Sequence, residues 1–193
     1  MEILEQGYYY HIYNRGNNRE KLFFNHSDYV YFLELYKKHI HEIADIYCFC
    51  LIPNHFHFVV RFKESEEIIS TELKNKPFYQ AFSNYFNAYT KYFNIKYGRT
   101  GSLFQERFKR RRVKNEIYLK YLIHYIHTNP VHHEICEDFR LYKYSSYNTI
   151  LKNHQSIIER EKVLKLFEDT ENYIYTHKRK ARLVFIENLV KGD

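Results

Sequence analysis

Two histidines one residue apart, His55 and His57, stand in LIPNHFHFVV (51–60), a stretch that otherwise reads as a strand. Residues i and i+2 of a strand point to one face, so the two imidazoles project side by side, which is half of a metal site. The segment EIYLKYLIHYIHTNP supplies a second group. At about 100° per residue, Leu119, Leu122, Ile123 and Ile126 form an apolar stripe for the core, while Lys120, His124 and His127 lie on the far side. Between them run Tyr118, Tyr121, Tyr125 and Asn129. Tyr121, Tyr125 and Asn129 fall at i, i+4 and i+8, so phenols and an amide oxygen share one flank.

Plainer readings exist for each group. In a chain with 21 tyrosines, a tyrosine stripe is also ordinary packing with its hydroxyls at the rim. Asn129 before Pro130 is a good helix stop. Cys48 and Cys50 with His55 and His57 compose a different set, two thiolates and two imidazoles for zinc. Its Cys-x-Cys spacing is tight, and the apolar YCFCLI equally suits small buried cysteines.

A third group is cationic. In RFKRRRVK (107–114), Arg107, Lys109, Arg110, Arg111, Arg112 and Lys114 crowd together, and five of the six positions 107–112 are basic. As a strand, the segment sends Arg110 and Arg112 to one face and Lys109 and Arg111 to the other. It is either a charge-protected edge strand or a ridge that contacts phosphates beside aromatic platforms, as single-stranded nucleic acid requires. Arg15 and Arg19, in the turn-rich YNRGNNREK (13–21), are candidates for further phosphate contacts, as is the basic run 177–182.

The elements that must carry these groups follow from pattern. YYYHIYN (8–14), DIYCFCLI (45–52) and HFHFVVRF (55–62) read as strands, the last two joined at Pro53-Asn54 as a hairpin, and SLFQERFKRRRVK reads as a fourth. Val30, Leu33, Ile40 and Ile43 recur at helical spacing behind a Ser27 cap. PFYQAFSNYFNAYTKYFNIKYG (77–98) predicts a longer helix that stops at Gly98. Asn115 caps the tyrosine-bearing helix, and Asn129-Pro130 ends it. The order β-α-β-β-α-β-α predicts an α+β fold, a ferredoxin-like antiparallel sheet with helices on one face, followed by a C-terminal helical extension. The division expected is 1–150 and 151–193.

Bulk composition narrows the partners. A formal charge of +7 and a pI near 9.1 favour a polyanion. Three cysteines do not make a secreted disulfide framework. No signal peptide pattern opens the chain, and no apolar run approaches the ~20 residues of a membrane helix, so the expected location is the cytoplasm, with no membrane partner.

Taken together, LIPNHFHFVV, GSLFQERFK, YLKYLIHYIHTNPV and YKYSSY, in this order and spacing, resemble the REP-associated tyrosine transposases, within the single-tyrosine HUH transposases of bacteria. The resemblance covers roughly residues 8 to 150. It implies that His55 and His57 are the paired metal-binding histidines, Tyr125 the nucleophile and Asn129 the residue that completes the metal site. It implies a divalent cation, Mg²⁺ or Mn²⁺, and a reaction in which single-stranded or hairpin DNA is nicked and rejoined through a 5′-phosphotyrosine. Related enzymes work as a monomer or as a homodimer that exchanges the tyrosine helix. Two alternatives stand beside it: a domesticated hairpin-binding protein that does not cut, and a zinc-stabilised nucleic-acid-binding module built on Cys48 and Cys50.

Overall fold

A computed structural model describes residues 2–152 and 156–179. Four strands, β1 (Tyr9–Arg15), β2 (Ala44–Ile52), β3 (His55–Phe62) and β4 (Lys109–Arg112), form one antiparallel sheet in the order β2-β3-β1-β4. Between β1 and β2 lies α1 (His26–His39); between β3 and β4 lie a short α2 (Thr71–Lys74) and the long α3 (Phe78–Tyr97). After β4 come α4 (Glu116–His132), α5 (Tyr147–Leu151), α6 (Arg160–Leu166) and α7 (Thr170–Lys178). The strand order and the crossovers are those of a ferredoxin-like fold, as the element order predicts.

Alternation along the strands divides the side chains between two faces. Phe56, Phe58 and Phe62 of β3 point to one face, where Phe32 and Tyr36 of α1 and Phe82 and Phe86 of α3 close over them. His55 and His57 point to the other face, and α4 packs there, its Tyr125 against His57. Helices therefore cover both faces, not one. The reason is visible in β2, where every residue is buried: a strand apolar on both sides needs cover on both sides.

The buried face of α1 also differs from the aliphatic spacing. Val30 is exposed, and the helix instead buries Tyr29, Phe32, Leu35 and Tyr36; its N-cap is Asn25, not Ser27. At the far end of α3, Gly98 takes a left-handed conformation (φ 60°) that stops the helix where predicted. Both edges of the sheet are protected. β4 is short and charged. Outside β2, Leu51 N–H donates to Tyr144 O, Ser146 N–H to Phe49 O and Glu159 N–H to Ile46 O, so the YKYSSY segment and the approach to α6 cap that edge.

Asp28 ties α1 to α3. Its carboxylate accepts from Phe24 N–H (2.8 Å) and Asn25 N–H (3.0 Å) at the helix start, from Tyr97 Oη (2.7 Å) and from Lys96 Nζ (2.6 Å). Burial pushes this carboxyl up, but its hydrogen-bond donors, Lys96 and Tyr97 foremost, outweigh it and hold its pKa below the usual value. A carboxyl with a depressed folded pKa contributes stability above its unfolded value, near ~4, and loses it as the pH falls through the folded value. Asp28→Ala is expected to cost about 3 kcal/mol at neutral pH. In denaturant titrations, the gap between wild type and variant should hold above about pH 5 and close on acidification towards the depressed value.

Candidate active site

The β3 register fixes the centre of the site. His55 lies opposite Arg15 of β1 and Ile52 of β2, and His57 lies opposite Tyr13 and Cys50. Across this face runs α4, begun by Asn115, whose side chain accepts from Tyr118 N–H. Leu119, Leu122, Ile123 and Ile126 are buried, as their spacing predicts. The i, i+4 flank turns Tyr125 and Asn129 onto the histidine face. The Tyr125 ring meets His57 edge-on at 6.1 Å between centroids, and Asn129 Oδ1 is 3.2 Å from His55 Nε2. His55, His57, Tyr125 and Asn129 thus converge within one chain. Tyr121, one turn earlier, is half-buried.

Pro130 does not end α4. The helix continues to His132 and closes at His133, whose N–H donates to Asn129 O. Proline removes only its own N–H, and Thr128 Oγ1 reaches back to the carbonyls of His124 and Tyr125 just before it. The added turn brings two imidazoles to the site: His132 stacks on Tyr125 at 5.8 Å, and His133 lies 4.5 Å from His55.

Hydrogen bonding leaves this cluster rich in acceptors. His55 faces Asn54 Oδ1 through Nδ1 (2.9 Å) and Asn129 Oδ1 through Nε2. His57 bonds through Nδ1 to His11 Nε2 (2.9 Å), and its own Nε2 is buried without a hydrogen-bond partner, as is Asn129 Nδ2. Burial, and then the neighbouring His133, push the His57 pKa down to about 3, so the ring is neutral at ordinary pH and keeps a lone pair. Two imidazole nitrogens and one amide oxygen suit a divalent cation of intermediate hardness, and as neutral donors they leave its charge for a phosphate.

Among the described residues, no group of three or more His, Cys, Asp or Glu side chains is arranged to hold a metal. The zinc set on Cys48 and Cys50 therefore does not form. Both cysteines are buried in β2, and burial raises both thiol pKa values, which opposes the thiolate that zinc requires.

The basic residues separate by face. Lys109 and Arg111 of β4 lie opposite Tyr13 and His11 on the histidine face, and Lys109 Nζ sits 5.6 Å above the Tyr13 ring. Arg110 and Arg112 point to the other face, against the N-terminal segment. Arg112 pairs with Glu5 (2.7 Å) and stacks on Tyr8, and Arg110 donates to Glu2 O. Arg15 adjoins His55 in the register and is half-buried, while Arg19, Arg107 and Lys114 are exposed. Of the run 177–182, only residues 177–179 fall among those described.

Two placements depart from the helical wheel. His124 and His127 do not face solvent. His127 bonds to His177 of α7 (2.9 Å) and to Ser146 Oγ (2.8 Å), and His124 is buried beside the same helix. A sequence wheel marks the face away from the sheet but cannot show that α7 covers it. The sequence does not mark His11 as a site residue. Its signal was weak: one polar residue alternating with Tyr13 in an aromatic strand.

The fold is an α+β, ferredoxin-like sheet with paired histidines on a central strand and a tyrosine-bearing helix across them. Among solved structures, it is similar to that of a REP-associated tyrosine transposase bound to a REP hairpin, with a TM-score of 0.58. The match covers 81% of this chain and 87% of that one at 16% identity, so the likeness is one of fold. No family model matches the chain, and no curated protein does. No helix among the described residues is long and apolar enough to cross a membrane.

Proposed function

We propose that this chain is a metal-dependent, single-tyrosine strand transferase that nicks and rejoins single-stranded or hairpin DNA. The observation that carries the reading is the meeting, in one chain, of the Tyr125 ring with His57 and of the Asn129 amide oxygen with His55. A binder has no need of a tyrosine and an orphaned imidazole nitrogen in one buried cluster. The likeness to a transposase bound to a REP hairpin supports hairpin DNA as the substrate class.

In this reading, Tyr125 Oη attacks the scissile phosphorus, and the bond from phosphorus to the 3′ oxygen breaks. The phenolic proton is lost, the leaving oxygen is protonated to a 3′-OH, and a 5′-phosphotyrosine remains. Reversal by another 3′-OH rejoins DNA without a nucleotide cofactor, because the phosphodiester energy is kept. His55, His57 and Asn129 are the residues that would hold Mn²⁺ or Mg²⁺. A bound cation would neutralise the non-bridging phosphate oxygens and make phosphorus more electrophilic, which a phenol with a pKa near ~10 needs at neutral pH. The mixed nitrogen and oxygen set favours Mn²⁺ over Mg²⁺.

The test is to incubate the protein with Mn²⁺ and labelled hairpins from repeats flanking its gene. A protease-sensitive DNA–protein adduct is the expected result. Tight hairpin binding with no adduct would replace this reading with that of a non-cutting binder.

Lys109 and Arg111 mark a path for the strand across the histidine face, with phosphates against the cations. Replacing both cations with alanine should lower the slope of log affinity against log salt by about 0.7 per lost phosphate contact. The same change at Arg110 and Arg112, which point away from the histidine face, should lower it less. Equal losses from the two pairs would remove the proposed path.

A further inference from the structure

His57 is held from behind by a residue that has no place in the reaction just described. His11 of β1 lies diagonally across from it, two residues along the β1–β3 register on the same face. His11 Nε2 and His57 Nδ1 are 2.9 Å apart, and both rings are buried. The rings are 5.1 Å apart between centroids and inclined by only 19°, so they meet edge to edge in nearly one plane, the geometry of a linear hydrogen bond. Tyr13 lies parallel over His11 at 4.4 Å, which holds that ring in place.

Two imidazoles share one proton in such a contact, and the direction matters. If His57 Nδ1–H donates, His57 Nε2 carries a lone pair; if His11 Nε2–H donates, His57 Nε2 carries a hydrogen. Only the first arrangement leaves His57 able to join His55 Nε2 and Asn129 Oδ1 as a third donor atom. In either arrangement His57 Nε2 is buried and without a partner, so the contact with His11 decides whether that atom offers a lone pair or a proton.

Resting on the metal-dependent reading above, we infer that His11 is a positioning residue that accepts the His57 Nδ1 proton and so holds His57 with its Nε2 lone pair free for a divalent cation. His11 touches neither cation nor DNA in this scheme. It orients the ring and selects the tautomer, as the outer hydrogen-bond partners of metal-ligating histidines do.

The experiment has two readouts on the full chain. Nitrogen NMR of the histidine-labelled wild type, without metal, is expected to find the His57 proton on Nδ1; a proton on Nε2 overturns the inference whatever the metal does. Mn²⁺ binding, followed by electron paramagnetic resonance, is expected to weaken about 10- to 100-fold in His11→Phe, which keeps a ring and loses the acceptor. His11→Gln puts an amide near the lost nitrogen and is expected to recover most of the affinity. A structural role alone would lower thermal stability in both variants without this split, and wild-type affinity in His11→Phe overturns the proposal. If wild type and His57→Ala bind Mn²⁺ alike, the metal reading itself fails. A His57 Nδ1 proton that is retained in His11→Gln and lost in His11→Phe would still uphold the positioning contact.

Discussion

Tyr125→Phe is expected to abolish the covalent DNA adduct, by on the order of 10³-fold or more, while hairpin affinity stays nearly unchanged. The substitution removes one oxygen and leaves the ring, so the packing on His57 and His132 is retained. Measuring adduct formation and hairpin binding on the same preparations separates chemistry from structure. Joint loss of both would assign Tyr125 to the core, where its ring is indeed buried. A persistent adduct would point to Tyr121, one turn earlier on the same flank. The double variant would then identify the nucleophile.

His57→Ala is expected to remove the metal dependence of cleavage and to lower activity by at least about 10²-fold, more than replacement of an outer partner such as His11. The effect has two parts. One donor nitrogen is lost from the cluster, and His11 loses the ring that fills its Nε2. Because His57 is fully buried, a melting curve must accompany the assay, and a stable variant with unchanged Mn²⁺ titration of activity would sink the assignment of this histidine as a ligand. Asn129→Ala should lower activity less, since a neutral amide oxygen is a weaker ligand than an imidazole nitrogen.

What the sequence determined by itself is local. A period of two places His55 and His57 on one face, and a period of 3.6 places Tyr125 and Asn129 on one flank, whatever else the chain does. The Pro53-Asn54 hairpin, the Asn115 cap and the Gly98 stop are likewise set by a few neighbouring residues. The order of elements is enough for the ferredoxin-like sheet, because one hairpin and two helical crossovers of fixed handedness leave few alternatives.

The tertiary structure decided everything that depends on which distant segments meet. The two-sided cover of the sheet, the burial of His124 and His127 under α7 and the edge cap from the YKYSSY segment all arise from long-range packing. In RFKRRRVK the alternation is legible, but only the β1–β4 register shows that Lys109 and Arg111 face the histidines while Arg110 and Arg112 lie against the N-terminal segment. His11 is the clearest case. Nothing near it in the chain marks it, since its partner lies in another strand and the bond between them exists only when that register forms. Local periodicity can aim a side chain at a face, but what it meets there is settled by strand pairing and helix packing between residues far apart in the chain.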